Sequence, residues 1–237
     1  MEFSPAAAPV ILHPRGILFD MDGVLVSSIG SVERSWKKWA LARSVDPEQA
    51  IRMAHGRRAI ETVRELRPDL NDLEELQWLE EMEVADKAGV SMLDGVRPIL
   101  DSLPEKYWTV VTSATERLAR TRMQLGNIHV PPRIVSADDV PQGKPHPEPY
   151  RKGAEILGLP PDDCLVIEDS ASGAQAGHAA GCTVLATLFS HSVESLGFAD
   201  YIVRSLEDVQ VIVPEDPGAP LAVRLTPIAR NLREAVR

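Results

Sequence analysis

Two aspartates one residue apart, Asp20 and Asp22, follow a short apolar run of strand-forming residues, Ile17, Leu18 and Phe19, and give way at once to Gly23. A strand that empties into such a polar turn puts its carboxylates at the carboxyl end of a sheet, where open parallel sheets keep their ligand crevice. The two side chains leave the strand end in different directions, so one can attack a substrate while the other handles protons. A carboxylate attacking phosphorus gives an aspartyl phosphate. Its charge repels a phosphate dianion, and a hard divalent cation is the usual remedy. The pair therefore calls for more acid, and for focused positive charge, elsewhere in the chain. Gly23 permits a backbone conformation closed to other residues. Taken alone, D-x-D-G also describes an ordinary solvated turn.

Three other strand ends carry chemistry. The apolar run 164–167 ends in Glu168, Asp169 and Ser170, a second acidic pair that can share a cation with Asp20. Octahedral Mg²⁺, held by carboxylates, a carbonyl, waters and a substrate oxygen, suits that supply of ligands; scattered histidines and only Cys164 and Cys182 make zinc unattractive. Val110 and Val111 run into Thr112, Ser113, Ala114 and Thr115, hydroxyls and amides at a helix start that favour an anion and equally describe a plain N-cap. Lys144, set between Gly143 and the prolines Pro145 and Pro147, sits in a stiff loop suited to directing an ammonium at phosphate.

The elements that must position these residues read as a doubly wound, Rossmann-like α/β core. After the first strand, residues 28–91 show only helical periodicity: Ile29, Val32, Trp36 and Trp39 form one stripe, Asp46 and Pro47 open a short second helix, a third covers 57–66, and Asn71 with Glu74 opens a fourth that Gly89 is placed to end. An all-helical block there implies an inserted second domain, giving a core of 1–26 and 92–237 and a cap of 27–91. Helices and strands then alternate, with strands at 107–112, 133–135, 164–167 and 183–186, an edge strand at 201–203 and a helix at 206–211. The Pro-rich stretch 213–220 reads as a linker into a tail, 213–237, that is either frayed or a docking helix over 228–236.

The chain has 237 residues, 44% hydrophobic and 25% charged, with a formal net charge of −10. That fits a soluble globular protein and argues against a broad nucleic-acid or anionic-membrane surface. No run is apolar enough to span a bilayer, and the first 14 residues lack the basic start and apolar core of a signal peptide. A cytoplasmic location, two structural reduced cysteines and a monomer or weak homodimer are expected.

The ordered set D-M-D-G-V-L, T-S-A-T, G-K-P-H-P-E-P-Y and V-I-E-D-S resembles the haloacid dehalogenase-like hydrolase superfamily, and within it the phosphatases with a helical cap after the first strand, over residues 15–210. The resemblance implies an Mg²⁺-dependent phosphatase with Asp20 as nucleophile and Asp22 as general acid, then base. It implies Ser113, Ala114 and Lys144 on the phosphate, and a metal held by Asp20, Asp22, Glu168 and Asp169. V-E-R-S-W-K-K-W-A with H-G-R-R is similar to the 2-deoxyglucose-6-phosphate and glycerol-phosphate phosphatases, which implies a small sugar or polyol phosphate as substrate. His55, Gly56, Arg57 and Arg58, at a break between cap helices, are the specificity candidates; Arg57 and Arg58 also read as solvated residues at a helix start. A dehalogenase would not need Asp22, and a phosphonate hydrolase would need a reactive cap lysine. A hexose phosphate mutase keeps every core motif and is the alternative enzyme, with a non-catalytic phospholigand-binding protein behind it.

Overall fold

The computed structural model describes residues 3–5, 8–216 and 218–231. In chain order come β1 (Phe3–Pro5), β2 (Val10–Leu12), β3 (Gly16–Phe19) and β4 (Val26–Ser27), then the helices α1 (Ile29–Ala42), α2 (Pro47–Ala54), α3 (Ala59–Leu66) and α4 (Asp72–Ala85). After β5 (Ser91–Met92) follow α5 (Val96–Ser102), β6 (Trp108–Val110), α6 (Glu116–Leu125), α7 (Glu148–Leu157), β7 (Cys164–Glu168), α8 (Ala171–Ala180), β8 (Thr183–Thr187) and β9 (Tyr201–Val203). Strands β10 (Val209–Ile212), β11 (Ala222–Leu225) and β12 (Ala229–Asn231) close the described chain.

Every residue of β3 is buried, as a strand sheathed on both faces requires. Ile17 and Phe19 enter one hydrophobic cluster with Val110, Ile167 and Met123, while Leu18 points the other way into a cluster with Val166, Val184, Tyr150 and Ala154. The main sheet runs β1-β12-β9-β8-β7-β3-β6, parallel from β6 to β9 and antiparallel at β12 and β1. The chain passes from β3 to β6 on one side and later to β7 on the other, so the carboxyl end of β3 is the topological switch point.

The helices α1 to α4 pack a cluster of their own around Trp36, Trp39, Ala50, Val63 and Leu79. Their ends follow the local signals: Asp46 accepts from the Glu48 amide at 2.9 Å and Asn71 from the Leu73 amide at 3.2 Å. The antiparallel ribbon of β4 and β5 stands at the root of the block, pairing Val26 with Met92 and Ser27 with Ser91. Inside it, Glu75 accepts from Trp39 at 2.7 Å and from Arg43 at 2.8 Å.

Four expectations give way. Residues 133–135 contribute only an isolated bridge, Val111 with Val135. The 206–211 helix is one 3₁₀ turn, Leu206–Asp208, followed by β10, whose residues alternate buried and exposed as a period of two demands. The tail is not a loose extension: β11 pairs with β10 and β2 in a three-stranded sheet that buries Val223 and Leu225, and β12 joins the main sheet. Residues 229–231 of the expected docking helix are therefore strand, with 232–237 outside the described residues, and β9 lies inside the sheet because β12 covers its edge.

Candidate active site

The ladder fixes Asp20 first. Its amide donates to the Ile167 carbonyl at 2.9 Å, and the Phe19 carbonyl accepts from the Val111 amide at 2.8 Å, so the carboxylate emerges between the ends of β6 and β7. Lys144, 2% exposed, arrives from the loop before α7, and its Nζ donates to Asp20 Oδ1 at 2.6 Å, Glu168 Oε1 at 2.6 Å and the Val111 carbonyl at 3.0 Å. Tyr150, in the first turn of α7, donates to the same Glu168 oxygen at 2.6 Å, and the Lys144 ammonium lies 4.9 Å from its ring centroid. Glu168 Oε2 accepts from the Asp169 and Ser170 amides at 3.0 Å and from Ser170 Oγ at 2.9 Å.

One oxygen each of Asp20, Glu168 and Asp169 lie within 4.8 Å of one another, all three residues buried. Burial pushes Asp20 up to about 7, against the pull of Lys144 and with the push of Glu168. Burial, then the Glu168 and Asp20 charges, lifts Asp169 well above the usual carboxylate range. Burial would lower Lys144, but Asp20 and Glu168 outweigh it and hold the ammonium above its ordinary value; burial would raise Glu168, but Lys144 and the surrounding donors hold it below. One ammonium thus serves three buried carboxylates, and burial, with the mutual repulsion of their charges, makes two of them resist ionisation. A divalent cation fits that deficit. Both oxygens of Glu168 are occupied by protein donors, which makes it chiefly the anchor of Lys144 and Ser170 and leaves Asp20 and Asp169 as the readier side-chain ligands.

Gly23 brings the first turn against this cluster. Its φ is +83°, and a Cβ there would fall 1.9 Å from Asp169 Oδ2, so both the backbone and the space demand glycine. Asp22 is engaged: Ser28 Oγ donates to its Oδ1 at 2.5 Å and Arg122 Nη1 to its Oδ2 at 2.8 Å. Ser113 Oγ donates to the Gly56 carbonyl at 3.3 Å, and the Ala114 amide to Thr112 Oγ1 at 3.1 Å.

The helical block sits down on these residues and encloses a cavity of about 400 Å³, lined among others by Asp20, Asp22, Asp169, His55, Trp36 and Glu83. Gly56, at φ +71°, is a contact point: its carbonyl also accepts from Ser172 Oγ at 3.0 Å, and a Cβ would strike Ser170. Arg58 is buried and donates to the Val140 and Pro141 carbonyls at 2.7 and 2.8 Å as well as to Glu61. Arg57 pairs with Glu65 at 2.9 Å. Of the four residues at this break, His55 has a buried Nε2 with no hydrogen-bond partner, and burial lowers its pKa. All four line the cavity, but Arg58 is spent mainly on holding the block to the core.

Sequence reasoning assigned no role to Tyr150, Ser28, Arg122 or Glu83. Tyr150 ends the G-K-P-H-P-E-P-Y stretch, and Arg122 falls on the buried face of α6 with Leu118, Ala119 and Met123, so both left a signal.

The sequence profile of the haloacid dehalogenase-like hydrolases matches residues 14–181. The chain is 34% identical to hexitol phosphatase A of Escherichia coli over 89% of its own length and 99% of that protein. It is 32% identical to glycerol-1-phosphate phosphohydrolase 1 of Saccharomyces cerevisiae over 86% and 87%. The fold also superposes on the crystal structure of a beta-phosphoglucomutase from Clostridium difficile with a TM-score of 0.72, at 18% identity over 83% of this chain and 93% of that one. The chain belongs to the haloacid dehalogenase-like hydrolases.

Proposed function

We propose that this protein hydrolyses a small sugar or polyol phosphate monoester by way of a phosphoryl group carried on Asp20. The observation that carries the reading is the Asp20 carboxylate at the switch point, bonded to a buried lysine and backed by Asp169. The hexitol and glycerol-1-phosphate specificities in the relatives' names support a polyhydroxy substrate.

An Asp20 oxygen attacks phosphorus, the bond from phosphorus to the substrate oxygen breaks, and Asp22, which must enter this step as the carboxylic acid with its proton on Oδ1, the oxygen that Ser28 rather than Arg122 faces, gives that proton to the departing alkoxide. Asp22, now a base, takes a proton from water; the water oxygen bonds to phosphorus and the bond to Asp20 breaks, releasing inorganic phosphate. Lys144 and Ser113 hold the phosphoryl oxygens. Mg²⁺, for which Asp20, Asp169 and the main-chain carbonyl of Asp22 are the proposed ligands, supplies the charge neutralisation that lets one anion approach another. The barrier must fall by more than about 10 kcal/mol, and two in-line transfers between fixed groups divide that task. Residues 27–91 act as a cap that excludes water and limits access to small esters, with His55 facing the leaving group.

The test is phosphate release from hexitol phosphates, glycerol-1-phosphate and 2-deoxyglucose-6-phosphate with and without Mg²⁺, with Asp20→Asn as the inactive control. Wild-type turnover by that variant would remove Asp20 as nucleophile. Isomerised hexose phosphate with little free phosphate would favour the mutase, for which a fold match at 18% identity carries no weight.

A further inference from the structure

Asp22, read above as the proton-transfer group, is gripped by a residue outside every motif. Arg122 belongs to α6, whose buried face is otherwise Leu118, Ala119 and Met123. At 3% exposed, its guanidinium is held from two directions: Nη1 donates to Asp22 Oδ2 at 2.8 Å, and Nη2 to Glu83 Oε2 of α4 at 3.2 Å. The remaining Nε is buried without a hydrogen-bond partner. An apolar residue would complete this face of α6 without burying charge, so packing alone does not account for the arginine. Its Nη atoms reach two carboxylates from separate elements, both of which line the cavity.

Glu83 is not isolated on its helix. Glu80, three residues earlier on the same face, accepts from Thr115 Oγ1 at 2.5 Å and from Arg117 at 2.8 Å, so α4 and α6 are joined along a full turn. A movement of α4 away from α6 would pull on the guanidinium that orients Asp22.

We propose that Arg122 is a positioning residue for proton transfer: it fixes the direction of the Asp22 carboxylate, and its bond to Glu83 makes that direction depend on α4 being seated against the core. The inference rests on the assignment of Asp22 as acid and base. It makes the proton-transfer group sense the cap through a salt bridge, in addition to the Ser28 contact between β4 and α1.

The test uses substrates of nearly constant shape whose leaving groups need different amounts of help: p-nitrophenyl, phenyl and p-methoxyphenyl phosphate, with Mg²⁺. The parameter is kcat/KM, which ends at departure of the leaving group. Since a positioned acid contributes about 10² to 10⁴, Arg122→Met should lower the p-methoxyphenyl value at least about 10-fold more than the p-nitrophenyl value, steepening the dependence on leaving-group basicity. Glu83→Leu, which breaks only the α4 side, should steepen it in the same sense by less, and Arg122→Lys should recover part of the loss. A parallel fall across the series, or no change, in Arg122→Met would overturn the proposal. If that variant does not fold, Glu83→Leu decides, and an unchanged slope overturns it. Wild-type protein without Mg²⁺-dependent turnover would instead sink the phosphatase reading, so the two failures are distinguishable.

Discussion

The charge deficit at the end of β3 has a measurable signature in stability. Asp20 is 7% exposed, and its carboxyl is pushed from 3.8 to about 7, mainly by burial. Between those values the folded protein keeps a proton that the unfolded chain has lost. Metal-free protein must therefore lose stability as pH rises through that interval, by about 4 kcal/mol in all. Asp20→Asn keeps the shape without the titration. In chelator-treated samples it should match wild type near pH 4 and exceed it by about 4 kcal/mol near pH 8, about 8–16 °C in Tm for a chain of this size. Glu83, which burial raises to about 7, is common to both proteins and cancels in the comparison, whereas Asp169, which the Asp20 charge helps to raise, is raised less in the variant and widens the gap in the same sense. Added Mg²⁺ should close the gap at pH 8 by stabilising wild type and do little at pH 4, because the cation competes with the proton. Thermal melts of both proteins across pH, with and without Mg²⁺, measure this. A gap that does not vary with pH, or metal-free wild type more stable than the variant at pH 8, would refute the argument from burial.

Lys144→Met leaves Asp20 and Glu168 buried without their ammonium, so denaturant unfolding at neutral pH should show a loss of about 3–5 kcal/mol, as for a broken buried pair, together with lost turnover. Gly23→Ala must hold alanine at φ +83°, at about 1–2 kcal/mol, and place its Cβ against Asp169 Oδ2; the Mg²⁺ concentration for half-maximal activity should rise, and an unchanged value would mean that Asp169 does not depend on this turn. Asp22→Asn should lower kcat/KM by about 10² to 10⁴ for an alkyl phosphate and by much less for p-nitrophenyl phosphate; equal losses would remove the acid role. Arg58→Ala, which loosens the clasp on Val140 and Pro141, should raise KM for all substrates alike, whereas His55→Ala should act mainly on polyol phosphates; the opposite ranking would place specificity on Arg58.

The core strands and the helical block were legible because their signals are local. An all-apolar run of three or four residues that stops at a carboxylate, as in β3 and β7, reads as a buried strand ending at a polar site. Asp46 with Pro47 and Asn71 write helix starts in single residues. The C-terminal strands were not legible, because each has only three or four residues and its stability comes from partners far away in sequence. The partners of β11 are β10 and β2, the latter some 210 residues earlier, and the proline-rich stretch between β10 and β11 is the return loop that lets them meet. Alternation over Val209 and Val211 is too short a pattern to outweigh a helical reading until the pairing is seen.

Lys144 and Arg122 show the same limit at the level of single side chains. Both are buried cations that touch one of the paired aspartates, at 2.6 and 2.8 Å. Lys144 stood out because glycine and proline fence it into a loop where a solvated lysine has no reason to be fixed. Arg122 lies in mid-helix, where arginine is a good helix former and a charge every few residues is normal, so its type says nothing. Its phase does: one turn after Leu118 and beside Met123, it falls on the stripe that faces the core. A helix that spends a buried position on a guanidinium has to meet it with carboxylates, and those that meet this one are Asp22 after β3 and Glu83 of α4. Local composition thus pointed to the acidic groups and the lysine that the fold gathers at the end of β3, whereas the residue linking Asp22 to α4 could be found only by asking which charge the helical periodicity forces inward.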